Sequence, residues 1–464
     1  MTYKDKLIAK YEKNGFRYEI MRRSYKRGEF TDFVIIKGMP KSFKYISPKI
    51  TKDAFFDIYD LSVNYVMTKK RYDVNPVFIY PDLKTIGALD ILEKNEDEVI
   101  LSPISRLLYV LDKLVREDRI EFIRGKFLSD MPQIDDFLNK GIEKKKVLVG
   151  NRYDLPLKFM GVSPYIGFLN PFLSKGGLLI NTHFFLMEFT DINTHYSLLG
   201  QPVGGLTIRD QTILPYLYNR SALFLYRSGI TEIKKIDVTK FGIFVGGNVY
   251  RHEGNALIYM RPHAEITPEA RGTDIAIVGR EVVGYKKGGG MKVPDAGFVL
   301  HVEDEVKFRD FKVEYLLYFK RDVIFGIQGG PWLVRDQDIA SFFDDPFYVD
   351  EPIYFPPTVF PVTWGKKPTA RMALGIDAHG ELVIVYVHGT NENTYIPKFD
   401  SRGFTLSELA EVFDGHEIMD AINLDGGGSA QLYIDRGEVF SPADRRGNPG
   451  LKYRRPVSVG IGFF

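Results

Sequence analysis

Residues 421–430 read AINLDGGGSA, an apolar strand that runs into Asp425 and three consecutive glycines. Consecutive glycines permit positive φ and let main-chain amides turn toward a ligand, and such a concavity binds anions, phosphate especially. The pattern therefore predicts a strand followed by an anion cradle made by the amides of residues 426–428, with a carboxylate at its entrance. A tight turn in which Asp425 caps its own loop is the other interpretation that the spacing allows.

Glycine and histidine are distributed unevenly around this stretch. Residues 1–150 hold 7 of the 43 glycines and none of the 8 histidines. The shift predicts two regions in an α+β chain. Residues 1–150 would form an accessory domain of mixed α/β character and unknown function, and residues 151–464 a β-rich, mainly antiparallel domain with few helices.

Short apolar runs and one capping pattern predict the individual elements. Phe33–Ile36 has strand character in the first region, where Ser102-Pro103 also predicts the start of a helix. The box Thr405-Leu406-Ser407-Glu408 predicts a second helix and assigns Glu408 to its cap. Strands of the second region are predicted at Leu178–Ile180, Phe241–Val245, Gly297–Val302, Ala373–Ile376, Leu382–Val387 and Val457–Phe463.

The overall composition excludes several classes of function. A chain of 464 residues corresponds to about two to four domains. With 62 Lys+Arg against 60 Asp+Glu, the net charge of +2 gives no case for nucleic acid as a partner. The absence of cysteine excludes disulfides, thiolate metal sites and a cysteine nucleophile. A charged beginning and no apolar run of membrane-spanning length predict a cytoplasmic protein without a membrane span.

Polar residues at the ends of other strands are the remaining candidates. Arg371 precedes one apolar strand, Arg455 enters another, and Asn181 and His183 follow a third. Such residues gather at a sheet edge, and arginine forks well onto phosphate, although alone each arginine also fits a surface ion pair. No histidine pair has zinc-site spacing, so no metal site is assigned and no cofactor is required. A divalent cation near Asp425 stays open.

Several segments, taken in chain order, resemble the phosphodiester glycosidase family over roughly residues 150–464. The strongest single match is the run at 423–429. The segments that carry the resemblance are Asn181–Phe185, Gly200–Leu206, Pro294–Leu300, Gly329–Val334, Arg371–Gly375, Thr405–Phe413, Asn423–Ser429 and Arg455–Val457. Two positions depart from the family pattern: Met372 stands where the family has Thr, and His388 where it usually has Asp. If these positions contact substrate, its identity would differ or activity would be lost.

The resemblance implies a hydrolase that cleaves a sugar-1-phosphodiester at the anomeric carbon and releases the sugar from a phosphomonoester. The substrate would be a phosphorylated glycan or another sugar phosphodiester, and the oligomeric state stays open. Asp425 would face the sugar as base, nucleophile or oxocarbenium stabiliser, with Asp377 or Asp444 as a second carboxylate. The spacing of Asp377 from Gly380 favours instead a place for Asp377 in the turn Asp377–Gly380. Alternatives are a phosphodiesterase acting at phosphorus and a glycan-binding protein without catalysis. The predicted catalytic residues are Asp425, Arg371, Asn181, His183 and His388, and the predicted phosphate- or substrate-binding residues are Gly426, Gly427, Gly428, Ser429, Arg455, Asn423 and Gly330.

Overall fold

A computed structural model of the chain describes most residues beyond 200 and a smaller share of those before. The described residues are 3–46, 98–100, 177–186, 194, 196, 201–304, 312–316, 322–339, 365–414, 417–435, 437–441, 443, 455 and 457–464. The predicted helix at Ser102-Pro103 and the candidate carboxylate Asp444 lie outside them.

The described residues form 28 strands and one α-helix, α1 (Leu406–Asp414). The strands, in chain order, are β1 (Lys4–Lys13), β2 (Phe16–Ser24), β3 (Phe30–Gly38), β4 (Phe43–Ile46), β5 (Glu98–Ile100), β6 (Leu178–Asn181), β7 (Phe184–Phe185), β8 (Pro202–Val203), β9 (Leu206–Ile208), β10 (Gln211–Leu214), β11 (Arg220–Tyr226), β12 (Thr231–Ile236), β13 (Gly242–Val245), β14 (Asn248–Tyr250), β15 (Leu257–Met260), β16 (Glu269–Val278), β17 (Glu281–Gly289), β18 (Gly297–Val302), β19 (Val313–Leu316), β20 (Val323–Gln328), β21 (Trp332–Arg335), β22 (Asp338–Ile339), β23 (Arg371–Asp377), β24 (Leu382–Val387), β25 (Ile418–Asn423), β26 (Leu432–Ile434), β27 (Gly437–Glu438) and β28 (Gly460–Phe463).

These strands are arranged in four larger sheets and one two-stranded pair. The first, called the central sheet below, has the order β1-β2-β3-β24-β23-β25-β21-β22. A second eight-stranded sheet has the order β12-β11-β20-β9-β10-β19-β13-β14, and two five-stranded sheets have the orders β15-β18-β16-β17-β5 and β27-β26-β6-β28-β4. Every ladder between these strands is antiparallel, as in β23 with β24 and β25. The predicted mainly antiparallel, β-rich architecture is therefore confirmed.

The middle strands of the central sheet, β23 and β24, are buried on both faces, which explains why they read as continuous apolar runs. Alternate residues of a strand point to opposite faces. Leu374 and Ile384 belong to the large core on one face, whereas Ala373 and Val385 pack with α1 on the other. The helix is capped as predicted: the Thr405 amide donates to Glu408 Oε2 at 2.9 Å, and the Glu408 amide donates to Thr405 Oγ1 at 3.1 Å.

The described part of residues 1–150 is not separate from the rest of the chain. Strand β3 pairs with β24 along its length, from Phe33 opposite Val387 to Gly38 opposite Leu382. Strand β4 pairs with β28, and β5 pairs with β17. The mixed α/β character predicted for this region is not confirmed, because its described residues form strands and one short 3-10 turn. A domain boundary near residue 150 stays a prediction for the residues that the structure does not describe. Among the described helices, none is both long and apolar enough to cross a membrane.

Candidate active site at the Asp425 turn

The turn formed by residues 425–429, called the Asp425 turn below, follows β25 of the central sheet and lies beside the start of β23 and the end of β6. The Asp425 amide donates to the Thr182 carbonyl at 3.0 Å, just beyond β6. On the other side, the Leu424 amide donates to the Met372 carbonyl of β23 at 2.8 Å. The turn is therefore held between the central sheet and the sheet that contains β6, and segments far apart in the sequence meet there.

Two of the three glycines are required by close approach and backbone conformation. A Cβ atom on Gly426 would lie 2.7 Å from the Ala370 carbonyl oxygen, and Gly427 has φ +55°. The Gly427 amide donates to that same carbonyl at 2.7 Å. The predicted cradle of three ligand-facing amides is thus partly used internally. The Gly428 amide makes no hydrogen bond within the described part of the chain.

The Asp425 carboxyl is the most perturbed acid of this site. The residue is 2% exposed. Burial raises the pKa of the Asp425 carboxyl to about 7, while a hydrogen bond from the Ser429 hydroxyl, the positive charge of Arg455 and the Gly426 amide each lower it. The burial effect wins because desolvation of a charge outweighs these partial compensations. Asp425 therefore exchanges a proton near neutral pH, as a catalytic carboxyl requires.

Ser429 and Arg455 lie beside Asp425. The Arg455 Nη1 atom lies 3.5 Å from Ser429 Oγ, and Ser429 is buried. The Arg455 guanidinium thus supplies positive charge close to the Asp425 carboxyl. Asp425, Ser429 and Arg455 form the centre of the candidate site.

Asn181 lies in contact with the Asp425 turn, and both ends of its side-chain amide bond to main chain. Its Nδ2 atom donates to the Asp425 carbonyl at 2.8 Å, and its Oδ1 atom accepts from the Gln431 amide at 2.9 Å. The side chain thereby fixes the main chain on both sides of the turn. These contacts favour a positioning role over the catalytic role predicted from the sequence.

His183 is buried next to the same segment and both of its ring nitrogens are engaged. Nδ1 lies 2.8 Å from Thr182 Oγ1, and Nε2 lies 3.3 Å from the Gly205 carbonyl. Burial lowers the pKa of His183 to about 4. The ring is therefore neutral at physiological pH, accepting from Thr182 and donating to Gly205. This arrangement favours a structural role over the predicted proton transfer.

Arg371 borders the turn, but its described bonds go to protein carbonyls. Nε donates to the Phe404 carbonyl at 3.0 Å and Nη2 to the Lys367 carbonyl at 2.8 Å. The guanidinium thus ties together the segments before β23 and before α1. The sequence predicts in addition a contact from this guanidinium to phosphate. That contact stays a prediction.

Asn423 and Gly330, both predicted to bind substrate, are hydrogen-bonded to each other. Asn423 Nδ2 donates to the Gly330 carbonyl at 3.1 Å, and the Gly330 amide donates to the Asn423 carbonyl at 2.8 Å. They connect β25 to the segment between β20 and β21. Asn423 Oδ1 is buried and makes no hydrogen bond among the described residues, so one acceptor of this pair is available.

The two departures from the family pattern lie in different environments. Met372 is fully buried in the large apolar core, so its side chain replaces a hydroxyl inside the protein and not on a substrate surface. His388 is half-buried and stacks on Phe440, with ring centroids 5.0 Å apart and an interplanar angle of 17°. The two departures therefore differ in exposure: Met372 is enclosed in the core, whereas His388 is partly accessible to solvent.

The candidate second carboxylate Asp377 lies at the opposite end of β23. Its Oδ1 atom accepts from the amides of His379 and Glu381, each at 2.9 Å. It serves the turn between β23 and β24, one of the two roles considered from the sequence. Among the described residues, no three His, Asp or Glu side chains are grouped where they could hold a metal ion. A cation near Asp425 stays an untested prediction.

Comparison with known proteins gives a family match for the C-terminal part of the chain. Residues 271–464 match the family model of the phosphodiester glycosidases. The matched segment contains Asp425, Ser429 and Arg455. It excludes Asn181 and His183, so the family resemblance read from the sequence between residues 150 and 270 is not covered by this match.

Individual relatives are distant or matched over short segments. The chain is similar to N-acetylglucosamine-1-phosphodiester alpha-N-acetylglucosaminidase of Bos taurus, with 38% identity over 93 residues, which cover 20% of this chain and 16% of the relative. The crystal structure of a hypothetical protein from Synechocystis matches 97% of this chain and 62% of its own, with 12% identity and a TM-score of 0.39. The catalytic domain of zebrafish N-acetylglucosamine-1-phosphodiester alpha-N-acetylglucosaminidase, auto-inhibited by its pro-peptide, is a further match. It covers 100% of this chain and 88% of the zebrafish chain, with 12% identity and a TM-score of 0.34. TM-scores this low do not establish a shared fold.

Two residues of the site escaped the sequence analysis. Thr182 supplies the carbonyl that accepts from the Asp425 amide and the hydroxyl that lies against His183. Gln431 contacts both Asn181 and Arg455 through hydrogen bonds. Thr182 lies inside the quoted segment Asn181–Phe185, and Gln431 lies two residues after Asn423–Ser429. Their roles depend on contacts between distant segments, which no local pattern encodes.

Proposed function

We propose that this protein is a hydrolase that cleaves a sugar-1-phosphodiester at the anomeric carbon and releases the sugar from a phosphomonoester. The observation that carries the proposal is the buried Asp425 carboxyl, whose pKa is raised to about 7, within the segment that matches the phosphodiester glycosidases. A carboxyl with a pKa close to the working pH is suited to proton transfer. The relative's name supports N-acetylglucosamine 1-phosphodiesters as the first substrates to test.

In the proposed reaction Asp425 acts as a general base. Water attacks the anomeric carbon and its proton passes to the Asp425 carboxylate. The bond from that carbon to the phosphate oxygen breaks, and its electron pair leaves with the phosphomonoester. Phosphate is a good leaving group, so charge stabilisation contributes more than acid assistance. Arg455 and the Gly428 amide would contact the departing phosphate, and Arg371 would add a further charge.

The test follows the position of an isotope label. The full chain is incubated in oxygen-labelled water with the methyl phosphodiester of N-acetylglucosamine 1-phosphate and with UDP-N-acetylglucosamine. Label in the sugar is expected. Label in the phosphate would instead assign a phosphodiesterase acting at phosphorus, and binding without turnover would assign a glycan-binding protein.

The pH profile provides a second measurement of the same proposal. A general base must be ionised, so the rate should rise with pH and reach half its maximum near pH 7, the pKa of Asp425. A rate that falls through this range would assign the protonated carboxyl as a general acid instead. The cytoplasmic localisation stays a prediction from the sequence.

A further inference from the structure

Gln431 connects three chain segments around the Asp425 turn. Its Nε2 atom donates to the Arg455 carbonyl at 2.7 Å, and its Oε1 atom accepts from the Tyr433 hydroxyl at 2.9 Å. Its main-chain amide donates to Asn181 Oδ1 at 2.9 Å. Gln431 is 1% exposed, so these bonds are shielded from competing water.

The amide side chain is suited to this position because it is both donor and acceptor. A phenol that donates lies on one side of it and a carbonyl that accepts lies on the other. A carboxylate could not donate to the Arg455 carbonyl, and an aliphatic side chain could make neither bond. The Tyr433 hydroxyl therefore fixes the orientation of the Gln431 amide, and the amide fixes the main chain of Arg455.

The position of Arg455, which Gln431 holds, matters because of the charged and polar groups around the Asp425 carboxyl. Ser429, Arg455 and the Gly426 amide face its carboxyl. From the neighbouring strands, the His183 ring is directed to Gly205, and the described bonds of Arg371 are to carbonyls. Arg455 is thus the cation whose placement most directly determines the charge of Asp425.

We propose that Gln431 is a positioning residue that holds Arg455 beside Asp425 and thereby sets the pH range over which Asp425 ionises. In catalysis this inference rests on the proposed function, because the ionised Asp425 is the form assigned there as base. The ionisation itself is a property of the folded protein. It can be measured whether or not a substrate is hydrolysed.

The test uses the full chain and two readouts. The first is the difference in unfolding free energy between the protein and its Asp425→Asn variant, measured in urea from pH 4 to pH 9. The pH at which this difference stops changing reports the ionisation of Asp425 in the folded state. The same pair is then measured in the Gln431→Leu background. The second readout is the midpoint of the pH–rate profile on the methyl phosphodiester.

In Gln431→Leu, the pH at which the stability difference stops changing and the midpoint of the pH–rate profile should both rise by about one pH unit. These two pH values are called the stability midpoint and the rate midpoint below. The reason for the rise is that a displaced cation stabilises the Asp425 carboxylate less. Tyr433→Phe should move them in the same direction by a smaller amount. The matched control is Tyr315→Phe, which removes a buried phenol that donates to the Gly279 carbonyl away from the site and should leave the midpoints unchanged.

If the pH at which the stability difference stops changing is the same in Gln431→Leu as in the wild-type chain, the inference is overturned, even if the variant is less stable. If Gln431→Leu does not fold, Tyr433→Phe compared with Tyr315→Phe decides the question in the same way. If the wild-type chain hydrolyses no sugar phosphodiester, the proposed function fails. The stability midpoints then still support or overturn the role of Gln431.

Discussion

Asp377 and Asp425 are two buried carboxylates at opposite ends of the same pair of central strands. Both are less than 5% exposed. Asp377 receives two amides from its own turn and lies 4.0 Å from Lys37 Nζ. Asp425 receives a hydroxyl, one amide and the charge of Arg455, and burial raises its pKa to about 7. Burial and donors from the local turn are therefore common to both carboxyls. They differ in the nearby cation, Lys37 for Asp377 and Arg455 for Asp425.

The largest expected effect separates the two carboxylates by activity. Asp425→Asn should lower kcat by about a hundredfold to ten-thousandfold, because the proposed base is lost while the side-chain shape is kept. Asp377→Asn should retain activity within about twofold. The measurement is sugar release at pH 8. Equal losses in the two variants would remove the functional distinction between these residues.

The next effect concerns the pH dependence of stability. The pKa of Asp425 is raised to about 7 in the folded state and is about 3.9 in an unfolded chain. Its protonated form therefore stabilises the fold fully below pH 4, and this stabilisation is lost as pH rises through 7. The slope is about 1.4 kcal/mol per pH unit at most. Urea unfolding should show that Asp425→Asn lacks this slope.

A smaller loss is expected when the turn carboxylate is removed. Asp377→Ala leaves the His379 and Glu381 amides without their acceptor, which should cost about 1–2 kcal/mol of unfolding free energy. His379→Ala is the matched control, since its side chain is exposed and the amide is kept. A shift of the urea midpoint in the control equal to that of Asp377→Ala would contradict the assignment of Asp377 to the turn.

The smallest effect is expected from the ion partner of Asp377. Lys37→Met removes a pair whose charged atoms are 4.0 Å apart, with side chains 21% and 3% exposed. Because Asp377 keeps both turn amides as donors, the loss should be smaller than that of Asp377→Ala. The difference in unfolding free energy between the wild-type chain and Lys37→Met should be smaller at high salt than at low salt, because salt screens the attraction between the two charges. A loss as large as that of Asp377→Ala would mean that Lys37, and not the turn amides, stabilises this carboxylate.

The sequence predicted the parts of this comparison that are local. Glycines after Asp425 predicted a turn, and the spacing of Asp377 from Gly380 allowed one at the other end. The capping box of α1 was likewise read correctly from four adjacent residues. In each case the determining contacts join residues a few positions apart.

What the sequence did not predict depends on pairing between distant segments. Strand Phe33–Ile36 was recognised as a strand, but its pairing with β24 was not. The use of Asn181 and His183 by main-chain partners was missed for the same reason. An apolar strand specifies that it must be covered on both faces, and leaves open which neighbour lies at its edge.

The pairing of β3 with β24 also governs how the protein can be shortened. A fragment trimmed to the family-matched residues 271–464 would lack β3 and β6. Strand β24, all of whose residues are buried, would then present a row of open amides and carbonyls on an apolar ribbon, which is a template for aggregation. The N-terminal strands therefore protect the solubility of the C-terminal part. A fragment that begins at residue 271 should precipitate where the full chain does not.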